Sequence, residues 1–301
     1  MKVLLTGASG YLGRHVLKAL EMQGIETVCA QHRTNISSQT AEVLSVDLLS
    51  PDGALKLVTH AKATHLLHLA WYVEQGKYWN APQNFEWVQA SIRLVDAFCR
   101  QGGGHVVVAG TCAEYDWNYG FMQEGVTPYN PHTPYGICKN ATRQLLQSMC
   151  DLHNVRLAWG HVFFPFGLDE SLGRLIPSLI QVFLGQIPAF GVNNEAIRGM
   201  LPVTDAAQAF VRLMQHPQAS GAYNICSGVP TLINEIVELI AAEFNADPAT
   251  VLKLPSSRSN DPGMLLGNNQ RLRSIGWSME GSLKKCLQQT VKSHLTHKPH
   301  F

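Results

Sequence analysis

The sequence predicts an α/β fold: a doubly wound parallel sheet with a smaller C-terminal α/β lobe. Three observations predict it. Short apolar runs alternate with helix-compatible stretches through roughly the first half of the chain, and a glycine-rich turn directly follows the first run. The alternation then breaks after about residue 160, where Pro165, Gly167, Gly173 and Pro177 interrupt it.

In chain order, Val3-Leu4-Leu5 reads as a strand and precedes a helix from Tyr11 to Gln23, which Gly24 stops. Thr27-Val28-Cys29-Ala30 is the next strand, and His65-Leu66-Leu67-His68-Leu69 a further one ahead of a helix containing residues 92–98. Glycines 102 to 104 turn the chain into the strand Val106-Val107-Val108-Ala109, and a helix follows Pro134 as far as Cys150. Such runs, apolar at every position, suit strands covered on both faces, and ligands then bind at their carboxyl ends. The dinucleotide-binding lobe is placed at 1–160. The chain returns to it at about 200–226 through a helix from Thr204 to Gln215 and the strand Tyr223-Asn224-Ile225. The remainder, 161–301 and mainly 161–199 and 227–301, is expected to form the substrate lobe.

Composition narrows the function. A chain of 301 residues, 46% hydrophobic and 15% charged, buries enough surface to fold without staples. Twenty-three basic side chains balance twenty-two acidic ones without runs of either sign, which argues against a nucleic-acid or polybasic membrane partner and for a small polar ligand. No secretory signal or bilayer-length apolar stretch is visible, so a cytoplasmic location is expected. Seven dispersed cysteines without a Cys-x-x-Cys pair are expected to be reduced, structural thiols, and no metal site is expected. The tail around His297 and His300 reads as disordered.

Thr6-Gly7-Ala8-Ser9-Gly10-Tyr11-Leu12-Gly13 lies between the first strand and the first helix. Backbone amides of Gly7, Ser9, Gly10, Tyr11, Leu12 and Gly13, at the start of a helix, are placed to receive a pyrophosphate, with glycines where side chains would block its approach. The end of the second strand reads Cys29-Ala30-Gln31-His32-Arg33, without the carboxylate that would accept hydrogen bonds from ribose hydroxyls. Arg33 is placed to pair with a 2′-phosphate, which favours NADP over NAD; the alternative is a solvated loop arginine. Asp47 and Leu48, after the third strand, are candidates for the adenine side.

Tyr135 and Lys139 are four apart at the start of a helix, hence on one face. An ammonium there is expected to favour the phenolate and lower the phenol's pKa, making Tyr135 a group that exchanges a proton with a carbonyl or alcohol. Thr111, just beyond the strand at 106–109, adds a hydroxyl for the same substrate oxygen.

Together these residues resemble the extended short-chain dehydrogenase/reductase family, specifically its nucleotide-sugar epimerase, dehydratase and reductase members. The match runs over nearly the whole chain and includes the glycine turn, Asp47-Leu48, His68-Leu69-Ala70, Thr111 with Tyr115, and Tyr135 with Lys139. It continues through Arg198 ahead of Leu201-Pro202-Val203-Thr204-Asp205, Tyr223-Asn224-Ile225, and Arg258 ahead of Asp261-Pro262-Gly263. The resemblance implies a Rossmann-type sheet, with Leu69 and Ala70 beside the coenzyme. It implies Tyr135 as acid/base, Lys139 on the nicotinamide ribose, and Thr111 orienting the reacting oxygen. Arg198 and Arg258 would grip a nucleotide diphosphate, or alternatively bridge the lobes as ion pairs. A homodimer through helices near 85–101 and 136–152 is also implied.

Departures from that family narrow the chemistry. Its 4,6-dehydratases carry Asp and Glu after the hydroxyl residue, whereas Cys112 and Ala113 stand here, and Glu114 replaces them only if the loop shifts. Phe164 stands where many members carry Asn, His161 where they carry Arg, and Arg174 where an Asn is common; Arg174 is a further candidate for the diphosphate. Trp71, Tyr72, Tyr78 and Trp79 either stack on a sugar or the nicotinamide or pack a long loop. The expected function is an NADPH-dependent reductase of a nucleotide-linked 4-keto-6-deoxysugar, in a pathway to surface polysaccharide or a glycosylated metabolite. The alternatives are a nucleotide-sugar epimerase with retained coenzyme and a non-catalytic dinucleotide sensor.

Overall fold

A computed structural model describes residues 1–256 and 261–296. Arg258 and the tail bearing His297 and His300 lie outside them. In chain order the elements are β1 Lys2–Thr6, α1 Tyr11–Met22, β2 Glu26–Gln31, β3 Glu42–Ser45, α2 Gly53–Ala61, β4 His65–His68, α3 Gln83–Arg100, β5 His105–Thr111, β6 Phe121–Met122, α4 Pro134–Leu152 and β7 Arg156–Val162. They continue with β8 Pro165–Phe166, α5 Leu175–Phe183, β9 Ile197–Arg198, β10 Leu201–Pro202, α6 Val203–Gln215, β11 Gly221–Ile225, β12 Thr231–Leu232, α7 Ile233–Glu243, α8 Ala249–Leu252, β13 Met264–Gly267, α9 Gln270–Ser274 and α10 Leu283–Thr296.

Seven parallel strands form the main sheet in the order β11-β7-β5-β4-β1-β2-β3. Alternate side chains of each strand supply opposite faces. Val3, Leu5, Val107 and Ala109 pack with α1 and α6. Leu4, Val106 and Val108 pack with α2, α3 and α4. Because both layers are apolar, the strands carry no polar alternation, which is why they read in the sequence as unbroken hydrophobic runs. The order reverses direction at β1, between β2 and β4, and the crevice beyond the carboxyl ends of these strands is the switch point where ligands bind in such sheets.

A second core joins α5, α7 and α10 through Leu179, Ile180, Ile236, Ile240, Leu287 and Val291. The four-stranded sheet β12-β9-β13-β6 ties this region to the first, since β6 belongs to the segment between β5 and α4. Among the described residues no helix is long and apolar enough to cross a membrane.

Candidate active site

The glycine turn is built by close approach. Gly7 has φ +77°, and a Cβ on it would lie 2.6 Å from the Ala70 nitrogen; one on Gly13 would lie 1.9 Å from the Gly7 carbonyl oxygen. The turn therefore presses against the end of β4 and against the first turn of α1, and a methyl group at either position would push it open. α1 starts at Tyr11; Gly10, at the cap position, makes no side-chain hydrogen bond, and no acidic residue stands in the first turn. Its leading amides and positive dipole end thus stay available to an anion at the cleft. This uncapped helix start, with backbone where side chains would intrude, fits the pyrophosphate of a dinucleotide.

Beneath the turn, Thr6 donates to His68 Nδ1 at 2.7 Å, and Ala70 N–H donates to the Thr6 hydroxyl at 3.4 Å. The Ser91 hydroxyl donates to Trp87 O at 2.7 Å, so His68 Nε2 must carry the proton and donate to Ser91 at 2.9 Å. Burial, reinforced by Lys139, pulls the His68 pKa down to about 3 and keeps the ring neutral. A neutral, fully bonded ring thereby links β1, β4 and α3 directly under the ligand turn. Sequence reasoning missed this relay, since its members are 62 and 23 residues apart.

At the end of β2, Arg33 is exposed on the cleft wall, together with His32, Asp47 and the buried Leu48. Asp47 is engaged in its own loop: Oδ1 accepts from Leu49 N–H at 2.9 Å and lies 3.8 Å from His32.

Helix α4 owes its start to Thr133, whose hydroxyl accepts from Gly136 N–H at 3.2 Å, followed by Pro134 at the first helical position. That start sets Tyr135 in the first turn and Lys139 one turn later, both buried and both on the cleft. Thr111, at the end of β5, lies within hydrogen-bonding reach of the Tyr135 phenol. The phenol's acidity departs from the sequence expectation. Burial raises its pKa well above the ordinary range, Tyr78 adds to this, and the nearby Thr111 hydroxyl opposes it more weakly. The reason is geometric: the Lys139 ammonium donates to Ala109 O at 2.9 Å and rests 3.9 Å from the centre of the Trp71 ring. Its own pKa is pulled down to about 7 by burial, with Glu114 holding it up. Tyr135 thus holds its proton firmly.

Aromatic rings wall the phenol. Tyr78 and Trp79 stand edge-on to Tyr135 at 4.8 and 5.6 Å, and Trp117 stands edge-on to Trp79 at 6.1 Å. The Trp117 indole N–H is fixed on Cys112 O at 3.0 Å. Trp71 lines the same wall, but one of its faces is already taken by Lys139, so stacking on a ligand through that face is closed to it.

On the substrate side, Cys112, Phe164, Arg174 and Arg198 all border the cleft. Cys112 is buried, and its thiol is pushed up to about 12, which keeps it protonated. Phe164 has φ +32°, in the left-handed region, and its ring lies 5.6 Å from the Arg198 guanidinium. Arg198 pairs with Asp261 at 2.8 Å and donates to Ile197 O at 2.9 Å. Arg174 pairs with the nearly buried Glu170 at 2.7 Å and donates to Pro165 O at 2.8 Å. Burial raises the Glu170 pKa to about 7, against the pull of Arg174.

Glu114 is not on the cleft wall, so the loop shift that would bring it to a substrate is not seen, and Glu114 as a substrate contact is corrected. Thr111 and Glu114 form a reciprocal capping box: the Thr111 hydroxyl accepts from Ala113 N–H at 3.2 Å, and Glu114 accepts from Thr111 N–H at 2.8 Å. The Trp159 indole donates to both Glu114 oxygens at 3.1 Å, so the carboxylate is fully buried behind β5. Thr-x-x-Glu spacing at 111–114 was the signal in the sequence that pointed to this. Glu114 therefore holds the Thr111 backbone, and among the described residues the carboxylates that line the cleft are those of Asp47, Glu86, Glu170 and Asp261.

The cleft holds about 1670 Å³, more than one drug-sized ligand fills, and runs from the glycine turn past Tyr135 to Arg198 and Phe190. It has room for a dinucleotide and a second ligand end to end. Known proteins are similar to this chain in sequence or in fold. A dTDP-6-deoxy-L-talose 4-dehydrogenase (NAD(+)) from Aggregatibacter actinomycetemcomitans is 28% identical, over 81% of this chain and 91% of its own length. A UDP-glucose 4-epimerase from Azospirillum brasilense is 27% identical, over 92% of this chain and 86% of its own. The solved structure of MoeE5 in complex with UDP-glucose and NAD superimposes with a TM-score of 0.85 at 22% identity, covering 98% of this chain and 99% of that one. The description of the NAD dependent epimerase/dehydratase family matches residues 3–226, spanning the glycine turn, Thr111, Tyr135 and Lys139. On sequence and architecture alike, the chain belongs to that family, and it is an NAD(P)-dependent enzyme of the extended short-chain dehydrogenase/reductase type.

Proposed function

We propose that this enzyme reduces the 4-keto group of a nucleotide-linked 6-deoxysugar with NADPH. The observation that carries the reading is the meeting of Thr111, Tyr135 and Lys139 in the cleft beyond the glycine turn, with Glu114 turned away from it. With Cys112 and Ala113 following Thr111 and Glu114 held behind β5, elimination of water lacks the acid and base that the dehydratases place there. A reduced nicotinamide dinucleotide, with its pyrophosphate held by the glycine turn, would supply the hydride for the carbonyl carbon. Tyr135 gives its proton to the carbonyl oxygen, Thr111 holds that oxygen in line, and Lys139, seated on Ala109 O, is the group proposed to hold the nicotinamide ribose. A phenol that burial keeps protonated is in the right form to start a reduction. The rings of Tyr78, Trp79 and Trp117 offer apolar contact that suits a sugar bearing a methyl group at C6. The name of the 28%-identical relative points to the same carbon of a 6-deoxysugar. Arg198 and Arg174 are proposed to bind the diphosphate once drawn from Asp261 and Glu170, together with Arg258. We also propose a cytoplasmic homodimer in which α3 and α4, which expose Phe85, Ile137 and Leu145, pack against the same helices of a second copy.

The test is to supply the purified protein with a nucleotide-linked 4-keto-6-deoxysugar and either NADPH or NADH. One coenzyme oxidised per alcohol formed is expected, with NADPH preferred. Arg33→Ala is expected to cut the NADPH preference by roughly tenfold while sparing NADH, the loss of a charge-assisted phosphate contact. Equal use of both coenzymes by the unaltered protein would remove the case for NADPH. The 27%-identical epimerase favours a second reading, in which substrate is converted with no net coenzyme oxidation.

A further inference from the structure

We propose that Trp71 is a positioning residue for Lys139: its indole face, locked in place by Asn84, fixes where the ammonium sits and which way its free N–H group points. The proposal deepens the reading above and rests on Lys139 as the group that holds the coenzyme. A lysine ammonium has three donors. One goes to Ala109 O at 2.9 Å, and the indole face takes the ammonium from a second side, 3.9 Å from its centre. The third is left for the cleft, which both residues line. An indole is the strongest ring for this contact, and desolvation strengthens it; Lys139 is 4% exposed and Trp71 9%.

Nothing in this arrangement is loose. The Trp71 indole N–H donates to Asn84 Oδ1 at 2.8 Å. Asn84, fully buried at the start of α3, spends its own amide on Tyr78 O at 2.7 Å and Ala81 O at 2.9 Å. Since the nitrogen already serves two carbonyls, its oxygen faces the indole and the ring cannot flip without orphaning a buried donor. The same asparagine therefore anchors the segment that carries Tyr78 and Trp79 against Tyr135 and the ring that seats Lys139. The titratable groups around the ammonium are Glu114 from the turn after β5, His68 from β4 and Tyr135 one turn earlier on α4. Trp71 supplies a polarised face where these groups supply no direct ion pair at salt-bridge distance among the described residues.

The test uses Trp71→Phe, which keeps an aromatic face, and Trp71→Leu, which removes it, with thermal melting to confirm that each is folded. The first readout needs no coenzyme: tryptophan emission of the protein is followed against pH, and the Trp71→Phe curve is subtracted. The difference is expected to show a step near pH 7 that Lys139→Met abolishes, since protonation of an amine over the ring alters its emission. The second readout is the dissociation constant of NADPH. Trp71→Leu is expected to weaken binding roughly tenfold, and Trp71→Phe to restore most of it. Absence of a Lys139-dependent step, or NADPH binding by Trp71→Leu equal to that of the unaltered protein, would overturn the proposal. If Lys139→Met itself binds NADPH normally, the assignment of Lys139 to the coenzyme fails instead, and the emission step alone then decides whether Trp71 seats the lysine.

Discussion

Replacing Tyr135 by phenylalanine is expected to lower kcat on a nucleotide-linked 4-keto-6-deoxysugar by about 100-fold or more, the usual contribution of a positioned general acid. The substitution removes one hydroxyl and keeps the ring, so the edge-on contacts to Tyr78 at 4.8 Å and Trp79 at 5.6 Å survive. Lys139 keeps its seat on Ala109 O and Trp71, because neither contact involves the phenol. Coenzyme affinity is therefore expected to hold while turnover falls. Retention of more than about a tenth of the rate would rule out the phenol as proton donor. The raised phenol pKa gives this prediction a direction: Tyr135 stays protonated well above neutral pH, so reduction should not be lost to ionisation of the donor there.

The second large effect is on stability in acid. His105, at the start of β5, is fully buried with neither ring nitrogen hydrogen-bonded; the carbonyls of Met214 and Ala219 come near without reaching bonding geometry. Burial lowers its pKa to about 4, and Arg156 and His65 add to the cost of charging it. An unfolded histidine takes up a proton near pH 6.5, so the stability contributed by a neutral ring is complete above that pH and is lost as pH falls towards 4. The loss from His105 by pH 4 is roughly 3 kcal/mol, at about 1.4 kcal/mol per pH unit. His68, with its pKa pulled down to about 3, contributes in the same sense. A domain with a margin of about 5–15 kcal/mol should therefore unfold in mild acid. His105→Leu breaks no hydrogen bond, and denaturant melts at pH 7 and pH 4 should show it losing roughly 3 kcal/mol less than the unaltered protein over that interval. An identical loss in both would show that His105 does not govern the acid transition.

How much of this was legible in the sequence depends on the range of the interactions. The parallel sheet could be read because burial on both faces leaves runs such as Val106-Val107-Val108 apolar throughout. The glycine turn could be read because a backbone at φ +77°, 2.6 Å from where a Cβ would meet Ala70, admits almost nothing but glycine. Strands β6, β8, β9, β10 and β12 have two residues each, too short to show any periodicity. Spacing of four placed Tyr135 and Lys139 on one face, but the direction of the phenol's shift is set by burial among Tyr78, Trp79 and Trp71, which lie more than fifty residues earlier in the chain. Glu114 is the opposite case: its partner Thr111 is only three residues away, and the capping box keeps the loop from the shift that reach into the cleft would need.

In the proposed reaction, hydride from a reduced nicotinamide goes to a keto carbon of a nucleotide-linked sugar while Tyr135 protonates its oxygen. Reduced coenzyme bearing deuterium at the transferable position, incubated with the keto sugar and the unaltered enzyme, tests it most directly. One deuterium is expected on the new carbinol carbon of the product for each coenzyme oxidised, and almost no labelled product from Tyr135→Phe in the same time. A product without deuterium at that carbon, or conversion with the coenzyme left reduced, would contradict it.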